Sequence, residues 1–176
     1  VAIEITLPQA YLLGLIGLLG VIAVVVGRQV WRVRQLEGRL SDLEGRSRQA
    51  DATAADLYEL GSVQLEKRLY AQATATLRQA RGRLSGEPQD ARALIENALG
   101  FALAAQQKHK DAVVHYRAAL KARPAYPVAL NNLAFSLEKQ QKQGEAVELY
   151  RQVLDLEPGN RTASRRLKLL DPSLPA

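Results

Sequence analysis

Asn97–Pro124 reads NALGFALAAQQKHKDAVVHYRAALKARP, and Asn131–Pro158 reads NNLAFSLEKQQKQGEAVELYRQVLDLEP. The second stretch repeats the first at a spacing of 34 residues. Asn97, Leu99, Gly100, Leu103, Ala112, Tyr116 and Pro124 return as Asn131, Leu133, Ala134, Leu137, Ala146, Tyr150 and Pro158. Apolar residues recur at intervals of three and four within each copy, the period of an amphipathic helix. Each copy therefore reads as two antiparallel helices. Leu99 and Leu103, then Leu133 and Leu137, form the apolar stripe of the first helix, and Tyr116 and Tyr150 pack from the second. The small residues Gly100 and Ala134 are expected to meet Ala112 and Ala146, because bulk at either would push the helices apart. The prolines mark where the second helix stops, since proline lacks the donor and clashes with the preceding turn. One such pair cannot bury its own apolar faces, so neighbouring pairs must stack.

A third copy lies upstream. Tyr58, Leu60, Gly61, Ala73, Leu77 and Ala80 match Asn97, Leu99, Gly100, Ala112, Tyr116 and Ala119 at an offset of 39, about five residues longer than the other spacing. The extra residues fall in RLSGEPQDA, where Gly82, Gly86 and Pro88 predict a lengthened turn. After Pro158, NRTASRRLKLL predicts one more amphipathic helix starting near Asn160, a cap whose Leu167, Leu169 and Leu170 cover the last repeat. The terminal DPSLPA reads as a frayed tail.

The N-terminal part obeys a different pattern. Ala10–Gly27, AYLLGLIGLLGVIAVVVG, carries no charge and only the Tyr11 hydroxyl as a polar side-chain group. This predicts a membrane-spanning helix. Glu4 is the one charge ahead of it, and Arg28, Arg32 and Arg34 follow at once. The positive-inside rule then sends the following domain to the cytoplasmic side. A cleavable signal peptide would carry its positive charge before the apolar run, so a permanent anchor is expected. Trp31 lies one turn past the span, where with Arg28 and Arg32 it would anchor the helix at the headgroups. Gly14, Gly17 and Gly20 form a small-residue ridge that would let another membrane helix approach closely. Val33, Leu36, Leu40 and Leu43 continue as a weak amphipathic stripe. It predicts a helical spacer, a short coiled coil being the alternative.

Composition narrows the chemistry. There is no cysteine, which removes disulfides and thiolate metal sites. His109 and His115 stand six apart, unlike the i,i+4 pair of a helical zinc site, and read as ordinary boundary side chains. No phosphate-binding glycine loop, metal cluster or nucleophile triad appears, so neither an enzyme nor a cofactor is expected. The formal net charge is +6, but it is dispersed and no nucleic-acid motif accompanies it.

These repeats resemble the tetratricopeptide family. The whole chain resembles a narrower group, the thylakoid tetratricopeptide proteins of cyanobacteria and algal plastids that assist photosystem I assembly, related to the plant pale-yellow-green factor. The stretches that carry this likeness are LPQAYLLGLIGLLG leading into RQVWRVRQLEGRL, then LYELGSVQLEKRLYAQA, then ENALG through SRRL at Leu167. The resemblance implies an all-α fold: one transmembrane helix, then a right-handed solenoid of three repeats and a capping helix. The layout expected is a lumenal N-terminus (1–9), span (10–27), helical connector (28–52), repeats (53–86, 93–126 and 127–160), cap (161–170) and tail (171–176). The repeats would face the cytoplasm or stroma. The partners implied are photosystem I subunits or an assembly intermediate, other assembly factors, and membrane lipid. A general membrane-bound chaperone or translocon adaptor is the alternative.

Stacked repeats of this kind form a concave surface lined by their first helices. Tyr58 and Ser62, Asn97 and Phe101, and Asn131 and Phe135 occupy the corresponding positions and are the expected protein-binding groove. The asparagine amides would bind a peptide backbone and the rings its apolar side chains. Packing of the phenylalanines between repeats is the competing reading. A two-carboxylate clamp of the co-chaperone type needs lysines and arginines that are incomplete here, so an acidic C-terminal tail is a poor fit. Arg161, Arg165, Arg166 and Lys168 give the cap a basic face, for acidic protein, lipid or solvent.

Overall fold

The computed structural model describes residues 7–49 and 51–170. The expected tail, 171–176, and most of the N-terminal stretch with Glu4 lie outside the described residues. Among those described, every regular element is helical: α1 (Leu7–Ser47), α2 (Ala54–Glu66), α3 (Tyr70–Gly82), α4 (Gln89–Ala105), α5 (His109–Ala122), α6 (Pro127–Glu138), α7 (Gln143–Leu156) and α8 (Arg161–Leu170). The chain divides into two units, 1–41 and 42–176.

The first unit is the greater part of α1. Its most apolar window has a mean hydropathy of 2.2. Leu12, Leu13, Leu15, Ile16, Leu18 and Leu19 are all exposed, as are the residues from Val21 to Val26, on every side of the helix. A helix that is apolar all round is a membrane span or a buried core helix, and this one is uncovered. α1 has 41 residues. At the α-helical rise that is about 60 Å, roughly twice a bilayer's hydrocarbon core. Span and connector are therefore one continuous helix, which passes through Gly38 and Gly45 without a break.

The second unit is the repeat stack. α2 pairs with α3, α4 with α5 and α6 with α7, and each pair packs on the next. The first helices also touch one another, α2 with α4 and α4 with α6, while α8 closes on α7. Thr53 starts α2 with a capping box: its hydroxyl accepts from Asp56 N–H at 3.1 Å, and its own N–H donates to the Asp56 carboxylate at 3.0 Å. Asn160 opens α8 by accepting from Ala163 N–H at 3.0 Å. A buried core runs through the stack, from Ala73 and Leu77 past Leu99, Leu103 and Tyr116 to Leu133, Leu137, Tyr150 and Leu167. Leu167 and the half-buried Leu170 cover the last pair, whereas Leu169 is 68% exposed. Two residues are about 200° of helix, so Leu167 and Leu169 cannot share a face.

The contacts refine two sequence expectations. A Cβ placed on Gly100 would meet the Tyr116 ring at 2.7 Å, and one on Gly61 would meet Leu77 at 2.7 Å. The small residue of the first helix thus faces the large residue of the second. Helical side chains lean toward the N-terminus, so Tyr116 lies over the turn that holds Ala112. The extra length ahead of the second repeat is also mostly helix. α4 has 17 residues against 12 in α6, and only residues 83–88 form the turn. Pro88 stands at the N-cap, from which the helix can begin without a donor.

The turn inside each pair has one recurrent geometry. Arg68, Gln107 and Gln141 all adopt φ near +60°. Gln106 Nε2 donates to Tyr70 C=O at 3.1 Å and to Thr74 Oγ1 at 2.8 Å. Gln140 Nε2 donates to His109 C=O at 3.2 Å, the same reach one repeat later. Each glutamine ties its turn to the preceding second helix, which sets how consecutive turns line up along one edge.

Candidate functional site

α4 and α6 lie side by side and open a cavity of about 430 Å³ between them. Phe101, Ala104 and Ala105 of α4 line one wall. Asn132 and Phe135 of α6, with Lys139 just past its end, line the other, and Gln107, His109 and Tyr116 complete it. The two phenylalanines of the chain therefore share one cavity, as their common repeat position suggests, but their surroundings differ. Phe101 is 44% exposed. Phe135 is half-buried, with Lys139 Nζ 5.2 Å and the Arg166 guanidinium 4.9 Å from its ring centre. His109 meets it edge-on at 6.1 Å. Such cation–ring contacts stabilise by about 0.5–1 kcal/mol each at partly exposed sites. Phe135 is thus a braced wall and Phe101 the open ring.

The other expected groove residues are distributed. Asn97 Nδ2 donates to the Tyr126 hydroxyl at 3.4 Å, and its carbonyl accepts from Asn132 Nδ2 at 3.1 Å. Its amide is spent inside the stack. Asn131 Nδ2 reaches Asn160 at 3.4 Å, while its buried carbonyl oxygen has no partner. The Ser62 hydroxyl donates to Tyr58 C=O at 2.8 Å within its own helix. Tyr58 lines a separate apolar pocket of about 150 Å³ with Ala55, Ala91, Leu94 and Ile95. On α1, a Cβ at Gly14, Gly17 or Gly20 would meet nothing within 4 Å, so that ridge is open. Trp31 is exposed.

His109, a boundary side chain by its sequence, and Lys139, which the repeat pattern does not mark, complete the site. Lys139 is four residues after Phe135, one helical turn away on the same face, a spacing that is legible. His109 reaches the cavity only because α5 begins there. Burial, and then the Lys139 charge, lower its pKa below the ordinary histidine value. By sequence Arg166 belongs to the basic face of the cap. It is drawn inward instead, donating to Glu138 at 3.1 Å, and Glu138 also accepts from the Tyr150 hydroxyl at 3.3 Å. His115 pairs at 2.7 Å with Glu96, which is only 5% exposed. Among the described residues no three His, Asp or Glu groups gather as a metal site.

Known proteins resemble this one in sequence and in fold. The family model "Tetratricopeptide repeat" matches residues 127–160. The tetratricopeptide repeat domain-containing protein PYG7, chloroplastic, of Arabidopsis thaliana is 37% identical over 128 residues. That alignment covers 73% of this chain but only 42% of PYG7. The uncharacterized protein ycf37 of Guillardia theta is 33% identical over 124 residues, covering 70% of this chain and 70% of that protein. Among solved structures, the first tetratricopeptide domain of Spaghetti (RPAP3), bound to HSP90 peptide SRMEEVD, aligns with a TM-score of 0.63 at 21% identity. It covers 69% of this chain and 92% of that one, and the likeness is one of fold.

Proposed function

Because this chain belongs to the family of tetratricopeptide-repeat proteins that includes ycf37 and PYG7, we propose that it is a membrane-anchored assembly factor that holds photosystem I subunits or an assembly intermediate. No chemical step is involved. The helix confines the protein to the membrane where the complex is built, and two linked contacts raise the effective concentration of the partner. The observation that carries this reading is the union, in one chain, of a membrane-length helix with a repeat face whose cavity presents an exposed phenylalanine.

The groove around Phe101 and Phe135 takes the partner's exposed segment. Tyr58, Ser62, Asn97 and Asn131, at the corresponding first-helix positions, extend this contact along the stack. Gly14, Gly17 and Gly20 dock α1 against a membrane helix of the complex. Trp31, Arg28 and Arg32 hold the helix at the headgroups, with the repeats on the stromal or cytoplasmic side and the N-terminus in the lumen. Affinity isolation of the tagged protein from thylakoid membranes tests this. Photosystem I subunits are expected with the unaltered chain and not with the Phe101→Ala, Phe135→Ala double variant; unchanged association would exclude the groove. Protease added to right-side and inverted vesicles reports which side carries the repeats.

A further inference from the structure

A second cavity, of about 400 Å³, adjoins the first. The two share Gln107, His109 and Lys139. The second adds Lys108, Lys110, Asp111 and Gln140, so three lysines and a histidine face one carboxylate along this edge. The glutamine ties and the left-handed turn residues hold successive turns in line and keep the lysines together. The polar capacity at the edge is strongly one-sided. Both ring nitrogens of His109 are shielded from solvent and have no hydrogen-bond partner. The Asn132 amide is already given to Asn97. What is left for a ligand is mainly cationic, beside an open aromatic wall at Phe101.

We propose that this edge of the groove recognises an acidic segment of a partner protein that carries one aromatic or large aliphatic side chain, seated between Phe101 and Phe135 with its neighbouring carboxylates over Lys139, Lys108 and Lys110. The inference rests on the protein-binding reading above and specifies the chemistry of the partner. It differs from a co-chaperone clamp in where the charge sits. Tyr58, Ser62, Asn97, Phe101, Asn131 and Phe135 supply no cation at the first-helix positions. The lysines lie instead at the turn edge, so flanking acidic side chains are read rather than a terminal carboxylate. A basic segment would meet like charge, and a purely apolar one would cover the lysines without pairing them.

The test uses the full chain in nanodiscs of phosphatidylcholine and three labelled peptides, read by fluorescence anisotropy. One peptide is glutamate-rich with a central tryptophan. The second has alanine for that tryptophan, and the third has lysine for every glutamate. The first is expected to bind, more weakly as salt rises. Loss of about tenfold or more is expected on removing its tryptophan, and likewise with Phe101→Ala or Lys139→Glu in the protein. Lys121→Glu, at the other end of α5 and lining a different cavity, should leave binding unchanged, and thermal melts of each variant confirm that it is folded. Equal binding of the lysine peptide, indifference to Lys139→Glu, or no binding of the first peptide would overturn the proposal. So would self-association of the chain that Phe101→Ala abolishes, which would put a second copy in the groove. Failure here, with photosystem I subunits still recovered in membrane isolation, removes the acidic specificity and leaves the assembly role standing.

Discussion

The second and third repeats carry the same skeleton, yet their inner and outer surfaces have diverged. In the third, Leu130 is buried and Leu149 half-buried at the positions that Glu96 and His115 occupy in the second. In the third, Ala134 stands where the second has Gly100. Phe135 is gripped by Lys139, Arg166 and His109, while Phe101 is open. The third repeat is packed against a cap and is apolar at these two positions. The second keeps a buried polar pair and offers the exposed ring. A repeat array can thus divide labour without altering its fold, because each helix pair is a modest variation on one packing solution.

The buried pair gives the largest way to break this contrast. Glu96→Leu alone strips His115 of its partner in a nearly closed site and should destabilise by about 1–3 kcal/mol. Glu96→Leu with His115→Leu copies the third repeat. It should recover that loss, since replacing both partners of a buried hydrogen bond by packed apolar groups of similar shape is often neutral or favourable. Urea midpoints of the single and double variants decide the matter, and a double variant no better than the single would show that the two repeats differ in packing and not only in polarity.

Exchanging the small residues probes the helix contact. Gly100→Ala gains up to about 1 kcal/mol of helix propensity but must move the Tyr116 ring, an overpacking cost of about 1–3 kcal/mol. A net loss near 1 kcal/mol is expected in thermal melts. Ala134→Gly should also lose about 1 kcal/mol, for the opposite reason: Ala134 is already accommodated and glycine forfeits propensity.

Arg166→Ala removes one cation from Phe135 and one partner from Glu138. A loss of about 1 kcal/mol is expected, with Phe135 more exposed. Increased quenching of a tryptophan substituted at position 135 would report that exposure; the native Trp31 serves as the internal reference.

The smallest effect is the pH response of His109. Its folded-state pKa lies below the unfolded value of 6.5, chiefly through burial and then through Lys139. The unfolded chain then binds the proton more readily. The contribution is fully present above the unfolded value and is lost as pH falls through the folded one. The stability difference between the unaltered chain and His109→Gln should therefore be constant at neutral pH and shrink on acidification below 6.5. A difference that grew with acid would contradict the burial of the ring.

The architecture was largely legible in the residues. A spacing of 34 between Asn97–Pro124 and Asn131–Pro158 is a local signal, since each pair of helices is built from neighbours in the chain. The site was legible only in part. Phe101 and Phe135 could be matched by repeat position, and they do line one cavity. Which ring stays open could not, because Arg166, the cation that closes over Phe135, comes from 31 residues further on, in a different helix. The six groove candidates looked equivalent in register, yet Asn97 spends its amide on Tyr126 and Asn132, and Tyr58 faces another pocket.

By itself, then, the sequence determined the membrane-length helix, the paired repeats and the cap. Each follows from periodicity, charge and proline placement within a window of one or two helices. Only the tertiary structure decided that Gly100 faces Tyr116, that Leu169 points outward, that Arg166 turns inward and that three lysines line a cavity adjoining the one that holds Phe101. Those outcomes depend on side-chain direction and on contacts between repeats, and a one-dimensional pattern carries neither.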